Sequence, residues 1–555
     1  MLVAAFAMFT IKKKSAFLLI ILICFSLLLR FYNLNWGAPF YFHPDERNIA
    51  SSVSQLRFPQ HLNPNFFAYG SVPIYTIYFT GVLANALYHT SPELITAVSF
   101  SQAIIISRFF SALLSIALIP LLFFIGKKIK DEKTGLIAAF FASSSVGFIQ
   151  FAHFGTFEMW LTFFTVVLFG VCLKIIRGGG FIYMILAGLV TGILIGTKIS
   201  HIVLLPLPIL ALFFRTFKLS SIKTNLHANF LNTLSFLKQI ILLLIICVDV
   251  FFLTNPYVLS DYSSFKGSMK YESQVALGSL PVFYTGEFKD SVPIVFQFFN
   301  VYPFLLNPVL TVLFIPCFIY AWVIAIKHKH IPLLLVVFCF LLLFFSQAFL
   351  YVKWIRYMVP TLPFIYLICA FALSDFFRFR FFPKRLALGI LIGVSFLFSI
   401  SYFITAFVQE DTRMGARRFA TQFIQPKDPI LSEVYDLGIV PFNDAFSNIA
   451  LFNFYDLDNN SFEYNSTTLD ERLAVSDYII LPSQRILRTR LQDLKNFPEG
   501  HRFYKELTNG VKFKKIYETP CDIFCRIAYL NNPIGSFEET ASVFDRPSVM
   551  IFEKR

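Results

Sequence analysis

The sequence is short of charge. Asp, Glu, Lys and Arg make up 14% of its 555 residues, whereas 56% are apolar, and the mean hydropathy is +0.66. A soluble chain of this length needs far more charged side chains to cover its surface. Among its 72 Phe residues are runs, such as Phe213-Phe214 and Phe344-Phe345, that no water-facing helix could bury. The scarcity of charge therefore excludes an ordinary soluble enzyme and indicates a membrane protein.

Other missing patterns narrow the function. The chain has no glycine-rich phosphate loop, Walker motif or Rossmann fingerprint, so a nucleotide substrate is not expected. Its net charge is +14, but no basic face with interleaved aromatics is present, which excludes nucleic acid as a partner. Six of the eight cysteines lie in apolar stretches. Only Cys521 and Cys525 lie in the polar C-terminal part, too few for a disulfide framework but able to pair with each other.

Apolar stretches of bilayer-spanning length recur along the chain and stop near residue 407. The expected fold is an α-helical polytopic membrane domain over 1–407, followed by a soluble α/β domain over 408–555. In the second domain, the pattern predicts helices at Thr412–Ile424 and Gln484–Asn496 and strands at Ile430–Val434, Asp477–Leu481 and Val549–Glu553. The membrane domain is predicted to have eleven spans: 15–31, 101–126, 134–151, 157–176, 181–197, 199–214, 239–254, 296–326, 331–350, 357–375 and 386–407.

The basic residues alternate from loop to loop, which predicts the sidedness of the chain. One set of loops has nineteen Lys and Arg against three acids, and such loops are cytoplasmic by the positive-inside rule. The N-terminus is then cytoplasmic, in a plasma membrane, whereas 32–70, 255–295 and the domain from 408 are extracytoplasmic. The basic set comprises Lys12, Lys13, Lys14, Lys127, Lys128, Lys130, Lys133, Lys174, Arg177, Arg215, Lys218, Lys223, Lys238, Lys327, Lys329, Arg378, Arg380, Lys384 and Arg385; the acids are Asp131, Glu132 and Asp375.

Two apolar segments affect this topology. Counting 71–89 as a span would place the Lys127–Lys133 loop outside, so we expect 71–89 to lie in the outer interface with its tyrosines at the headgroups. The segment 181–214 is expected to form two spans; one long broken helix is the alternative, and it would invert everything downstream.

The first extracytoplasmic loop contains the adjacent acids Asp45 and Glu46. Adjacent carboxylates at a membrane surface repel each other, so they have a partner or a chemical role. Alternatively, Asp45 caps a short helix at 46–57, with Glu46 placed favourably against its dipole. His43, Asp45 and Glu46 could also hold a divalent metal, although three ligands from one loop are a weak metal signal.

Further charged residues fall at the predicted outer ends of spans. Glu158 begins an apolar helix, Lys198 lies at an outer turn, and Lys353 and Arg356 lie at another. Arg108 is a third of the way into its span. The ordinary explanation for Glu158 is that it pairs with a nearby cation. The ordinary explanation for Lys353 and Arg356 is that their side chains extend to the lipid headgroups.

Their shared location on one side favours a common cavity. A carboxylate there can take the proton of an acceptor hydroxyl as it attacks an anomeric carbon. Arg or Lys can stabilise the charge on a departing lipid phosphate. The pattern therefore predicts a transferase that takes sugar from a lipid-phosphate carrier.

Several short motifs resemble those of the GT-C superfamily of membrane glycosyltransferases, over about residues 15–405. The similar branch is that of protein O-mannosyltransferases and lipid A aminoarabinose transferases. The residues that carry the resemblance are Arg30–Asn33, Asp45-Glu46, Tyr69-Gly70-Ser71-Val72-Pro73, Arg108, Glu158, Gly192-x3-Gly196-Thr197-Lys198, Asn255-Pro256-Tyr257 and Arg356-Tyr357-x2-Pro360-x2-Pro363.

The resemblance implies a polyprenyl-phosphate-linked hexose or pentose as donor and inversion at the anomeric carbon. It implies Asp45 as catalytic base, Glu46 as its neighbour and Glu158 as a second acid. Arg108, Arg356 and Tyr357 would lie on the phosphate side, with Lys198 or Lys353 replacing a lysine that relatives have near Pro73. Glu158 stands where many relatives have Asp. The acceptor, whether protein, lipid or glycan, does not follow from the resemblance.

Two rivals belong to other classes. A transporter or lipid flippase would line a path across the bilayer with charges, but its sites lie near the midplane, often between repeats, and the chain has no internal repeat. An inactive scaffold would bind a partner through 408–555 and have no cavity near Asp45.

Overall fold

The computed structural model describes residues 11–217, 226–280, 282–376, 384–459 and 461–555. Within them, nine helices are long and apolar enough to cross a membrane, and a bent helix pair makes ten. The 17-residue apolar helix Phe181–Thr197 brings the number to the eleven expected. The nine are Lys13–Phe31, Phe100–Ile129, Glu158–Ile176, Ile199–Thr216, Asn232–Thr254, Pro308–Lys327, Ile331–Ala348, Ile355–Phe376 and Leu386–Val408; the bent pair is Glu132–Ser143 with Val146–His153.

Shorter helices connect the spans and build the C-terminal part. Between spans the chain forms Pro44–Gln55, Ser71–Asn85, Pro92–Thr96, Tyr257–Ser260, Tyr262–Leu277, the 3-10 turn Phe283–Phe288, the π-helical turn Gln297–Val301 and Tyr302–Leu306. After residue 408 the helices are Thr412–Phe423, Val440–Asn443, Ser466–Val475, Arg485–Gln492, Pro498–Thr508 and Ile523–Ala528, with 3-10 turns at Leu437–Ile439, Asp456–Asp458 and Glu539–Ala541.

The bent pair breaks at two serines. The Ser145 side chain accepts the backbone N–H of Phe148 and so starts the second helix. The carbonyls that the first helix leaves unpaired at its end accept from the fully buried Arg30, at 2.7 Å from Ala142 and 3.1 Å from Ser143. A cation beneath the break therefore makes a 51° bend compatible with an apolar bundle.

The span expected at 296–326 begins later. Asn307 has a φ of 95°, and its side chain accepts the backbone N–H of Leu310, so a new helix starts at Pro308. Residues Gln297–Leu306 form a separate turn and short helix. The correction has a physical cause, since an Asn in a left-handed conformation leaves no trace in the hydropathy pattern.

The segment 181–214 forms a hairpin, as expected for two spans. At one end of helix Asn232–Thr254, a Cβ on Gly196 would come within 2.7 Å of Thr254. Towards its other end, the Phe213 ring lies 6.1 Å from that of Phe236. The chain therefore reverses around Lys198, which excludes the single broken helix.

The interfacial segment expected at 71–89 forms a helix over Ser71–Asn85. Its 15 residues reach only about 23 Å, less than the roughly 30 Å of a hydrocarbon core.

The basic loops meet at one end of the bundle. Lys130 lies 2.6 Å from Asp375, Lys127 lies 2.9 Å from Glu132, and Ser15 donates to Glu132 at 2.7 Å. Arg177 donates to the backbone of Lys128 in the same region. Lys218, Lys223, Arg378 and Arg380 lie outside the described residues. The assignment of this end to the cytoplasm stays a prediction from charge.

The C-terminal part contains a five-stranded sheet of β1 Ile430–Glu433, β2 Ile449–Phe452, β3 Tyr478–Leu481, β4 Phe513–Glu518 and β5 Met550–Lys554. The strand order is β2-β1-β3-β5-β4, with β1 parallel to β2 and β3, and β5 antiparallel to β3 and β4. The three strands expected from the sequence are present, and β2 and β4 are additional. The helix expected at Gln484–Asn496 is shorter, Arg485–Gln492, because the chain turns before Pro498.

This α/β domain packs closely against the spans. Cys521 forms a disulfide with Cys525, which lies in helix Ile523–Ala528. The Tyr529 ring stacks on Phe304 at 6.3 Å. The buried Asp545 accepts hydrogen bonds from Gln150, at 3.1 Å, and from Tyr402, both on membrane helices. The domain and the bundle thus share one apolar core.

Asp545 is expected to make the stability of this junction pH-dependent. Burial raises its pKa from 3.8 to about 6, against the opposing hydrogen bonds from Tyr402 and Gln150. Because the folded protein binds the proton more tightly than the unfolded chain, this contribution to stability is present below about pH 4 and is lost as the pH rises to 6. Asp545→Asn should raise the unfolding temperature at pH 7 and flatten its pH dependence. Thermal unfolding of both proteins in detergent between pH 4 and 8 measures this, and parallel curves would contradict it.

Candidate active site

A cavity of about 400 Å³ lies between the membrane bundle and the α/β domain. It is bounded by the first loop, by the starts of helices Glu158–Ile176 and Ile355–Phe376, and by helix Tyr262–Leu277. Its lining includes His43, Asp45, Tyr69, Thr156, Glu158, Glu272, Trp354 and Arg356, with Tyr435, Arg485, Glu539, Thr540 and Phe544 from the α/β domain. The structure therefore brings Asp45, Glu158 and Arg356, distant in sequence, to one cavity.

Asp45 faces this cavity and pairs with Arg356. Its helix begins at Pro44, with His43 in the capping position, so the Asp45 side chain does not cap the helix as one interpretation expected. Both side chains of the pair are 21% exposed. Burial would raise the pKa of Asp45, but Arg356, with smaller contributions from His43, Tyr69 and Lys198, lowers it below the ordinary value. Asp45 is therefore an ionised carboxylate that can accept a proton.

Glu46, one residue on, points away from the cavity. Successive side chains diverge by about 100° around a helix. Glu46 forms two bonds with Arg108, at 2.8 and 2.7 Å, and accepts the backbone N–H of Gly155 at 2.5 Å. The adjacent acids that the sequence grouped together are thus in different environments.

Arg108, expected on the phosphate side, does not line the cavity. Its Nη1 donates to the carbonyls of Leu34 and Trp36, both at 2.8 Å, and its guanidinium lies 4.4 Å from the centre of the Trp36 ring. The side chains of Arg108 and Glu46 are fully buried. A buried Arg needs a carboxylate to offset its desolvation, which explains why this pair lies behind the cavity wall.

Glu158 contributes an unsatisfied acceptor to the cavity. It is 3% exposed, and its Oε2 has no hydrogen-bond partner. On the same cavity, the Nδ1 of His43 is also buried and unpartnered. Burial lowers the pKa of His43, which keeps its ring neutral. Buried polar atoms without partners are costly, so this wall is suited to the hydroxyl groups of a ligand.

Lys198 lies among three aromatic rings at the hairpin turn. Its Nζ is 4.8 Å from the centre of the Phe157 ring, 5.0 Å from that of Tyr357 and 5.7 Å from that of Tyr69. A small gap lined by Glu158 and Arg356 adjoins it. The lysine is thereby positioned next to Arg356 on the cation side of the site.

A second cavity of about 320 Å³ adjoins the first. Lys198, Tyr357 and Glu272 line it, and Glu272 lines the first cavity too. Its remaining wall is largely apolar, and Leu277 and Ile199 are also exposed on the outside of the protein. The polar cavity is thus next to a largely apolar space at the surface of the protein.

Lys353 is not part of either cavity wall. It is buried, and its Nζ donates to the carbonyl of Tyr351 at 2.9 Å. Of the two lysines expected as phosphate ligands, only Lys198 is positioned beside Arg356.

Sequence reasoning did not select Tyr69, Glu272, Trp354 or any residue of the α/β domain as site residues. Burial raises the pKa of Glu272, opposed by Lys198 and Arg356. Arg485 and Glu539 form an ion pair at 2.5 Å in the cavity wall. An available signal was the adjacent acids Glu538 and Glu539, the same pattern that drew attention to Asp45 and Glu46.

The metal site considered for His43, Asp45 and Glu46 requires three side chains that converge. In the part of the chain that the structure describes, no three His, Cys, Asp or Glu side chains are grouped to hold a metal ion. Glu46 is directed to Arg108 instead.

The bundle and its attached sheet have the GT-C fold of membrane glycosyltransferases, as the sequence motifs predicted. The chain superposes over 98% of its length on 88% of the oligosaccharyltransferase AglB from Archaeoglobus fulgidus in complex with an inhibitory peptide and a dolichol-phosphate, with a TM-score of 0.53 and 12% identity. The superposition on the apo form of the A. fulgidus enzyme has a TM-score of 0.52 and 13% identity, and it covers 98% of this chain and 89% of that enzyme. The superposition on ArnT from Cupriavidus metallidurans bound to undecaprenyl phosphate has a TM-score of 0.46 and 12% identity, and it covers 97% of each chain.

No protein-family model and no curated protein matches the sequence. At this level of identity, the likeness to solved structures establishes the fold.

Proposed function

We propose that this chain is a glycosyltransferase that moves a sugar from a polyprenyl-phosphate carrier to an acceptor hydroxyl or amine on the extracytoplasmic face. The observation that supports it most is the pairing of an ionised Asp45 with Arg356 in a cavity that adjoins an apolar space. The Asp45–Arg356 pair suits an acceptor and a phosphate, and the apolar space suits a lipid chain. The A. fulgidus oligosaccharyltransferase, which has the same fold, has been solved with a dolichol-phosphate.

In the proposed reaction, Asp45 takes the proton of the acceptor hydroxyl. The acceptor oxygen bonds to the anomeric carbon while the bond from that carbon to the phosphate oxygen breaks, which inverts the configuration. Arg356 and Lys198 stabilise the negative charge left on the lipid phosphate. Because Arg356 contacts Asp45, its engagement by phosphate would also remove the interaction that lowers the pKa of Asp45, and so strengthen the base.

The sugar ring would lie between these groups and the Glu158 wall. Glu158 Oε2 and His43 Nδ1 are unpartnered atoms on this wall, and each can bond a sugar hydroxyl. The lipid chain would leave through the second cavity beside Leu277. An amine acceptor would use the same base.

The direct test supplies labelled polyprenyl-phosphate sugars to right-side-out and inverted vesicles, with and without EDTA. Labelled covalent product in right-side-out vesicles alone supports the proposal with its sidedness. Passage of label across the bilayer with no product would instead indicate a transporter. Loss of product in EDTA would add a divalent metal to the mechanism.

The two lysines provide a matched comparison. Lys198→Met should raise the donor KM by about tenfold or more, because a charge-assisted contact with phosphate contributes about 1.5–3 kcal/mol. Lys353→Met should leave the donor KM within about twofold, since its ammonium bonds the Tyr351 carbonyl away from both cavities. Steady-state kinetics with varied donor measure both, and the reverse ranking would move the phosphate to Lys353.

A further inference from the structure

We propose that Glu538, in the α/β domain, is a positioning residue for Arg356 and thereby sets the affinity of the site for the lipid phosphate. This inference rests on the proposed function and adds a role for the C-terminal domain to it. Glu538 itself does not line the cavity; its neighbours Glu539 and Thr540 do.

The contact between Glu538 and the membrane helix is direct. The Oε2 of Glu538 accepts the backbone N–H of Ile355 at 3.0 Å, in a buried environment. Ile355 begins the helix Ile355–Phe376, and its N–H is one of those that a helix leaves without an internal partner. The side chain of the preceding residue, Trp354, forms no capping hydrogen bond with this helix start. A residue 183 positions later therefore supplies the missing acceptor.

This contact fixes the residue next to Arg356. The Arg356 guanidinium lies 4.3 Å from the centre of the Trp354 ring, and Trp354 packs against Phe288 at 5.8 Å. Ile355, between the two stacked residues, is completely buried. Holding its N–H sets the direction in which the helix starts, and so the point from which Arg356 reaches Asp45.

Glu538 is rigidly held. Its Oε1 accepts from the backbone N–H of Thr540 at 3.2 Å and from its hydroxyl at 2.8 Å. Its own N–H donates to the carbonyl of Asn300 at 3.1 Å. With both carboxylate oxygens engaged and 1% of its surface exposed, Glu538 connects the α/β domain to the bundle at one defined point.

The test is a double-mutant cycle on binding of farnesyl phosphate, followed by Trp fluorescence, since Trp354 lines the cavity. Glu538→Ala in the wild-type background should weaken the Kd by about tenfold, as expected for a misplaced guanidinium. In an Arg356→Ala background the same substitution should change the Kd by less than about twofold, because the residue through which it acts is gone. Equal losses in both backgrounds, or no loss in the first, would overturn the inference.

Two further variants separate positioning from folding. Glu538→Gln keeps one acceptor oxygen for Ile355 and should stay within about threefold of wild type. If Glu538→Ala does not fold, the same cycle is run with Glu538→Met, which fills the buried space without an acceptor oxygen for Ile355, and its loss must again disappear without Arg356. Asp458→Ala is the matched control: this buried acid of the same domain accepts the backbone N–H groups of Glu499 and Gly500 and does not line the cavity. A loss in the control equal to that of Glu538→Ala would overturn the inference.

The readout also separates this inference from the proposed function. Farnesyl phosphate binding requires no transfer reaction. If the wild-type protein does not bind it, the proposed function fails; if it binds and the cycle is additive, only the role of Glu538 fails.

Discussion

Asp45→Asn is expected to lower kcat by about 100-fold or more, the contribution of a positioned general base. The amide has nearly the shape of the carboxylate but cannot take the acceptor proton. The protein should still fold, because Asp45 is partly exposed and its one ion pair is at the cavity surface. Single-turnover transfer with saturating labelled donor measures the chemical step.

Binding and a matched variant complete this experiment. Asp45→Asn should bind farnesyl phosphate as tightly as wild type or more tightly, because Arg356 is released from its ion pair. Asp261→Asn is a suitable control. Asp261 accepts a hydrogen bond from the side chain of Asn63 at 3.2 Å, and it does not line the cavity. Unchanged turnover in Asp45→Asn would remove Asp45 from the role of base.

The neighbouring substitution, Glu46→Gln, should act on stability instead. It leaves the fully buried Arg108 without a counter-charge, and breaking a buried pair in this way costs about 3–5 kcal/mol. We expect a large loss of folded, monodisperse protein after detergent extraction and a lower unfolding temperature. Fluorescence-detected size exclusion and thermal unfolding measure both.

A double substitution tests the cause. Replacing both partners of a buried pair by apolar residues of similar volume is often neutral, because no charge is left behind. Glu46→Leu with Arg108→Leu should therefore retain more folded protein than either single change. A Glu46→Gln protein of normal stability but with little turnover would return Glu46 to a catalytic role.

The sequence was informative where its signal was long or charged. Eleven apolar stretches and the alternation of basic loops were enough to predict the bundle and its hairpin at Lys198. The proximity of Asp45 and Arg356 was predicted because both lie on the same predicted side of the membrane. The divergence of Asp45 and Glu46 was also accessible, because a helix turns successive side chains apart.

Other features depend on contacts that no local pattern encodes. Asn307 breaks the expected span through its backbone conformation. Lys353 and Lys198 look alike in sequence, and only packing decides which one adjoins Arg356. The sequence predicted a soluble extracytoplasmic α/β domain but did not single out Glu539 and Phe544 as residues that line the cavity, because contacts across hundreds of residues are set by tertiary packing.

The contribution of this domain to the cavity has a consequence for biosynthesis. Arg485, Glu539, Thr540 and Phe544 follow the described membrane helices in the chain, so a chain stopped before Arg485 has a cavity with one wall missing. Such a truncated product should insert into the bilayer and yet be inactive, rather than work at reduced speed. Under the proposed function and sidedness, turnover would begin only once this domain has been exported and has docked, which would protect the carrier lipid from premature discharge during synthesis.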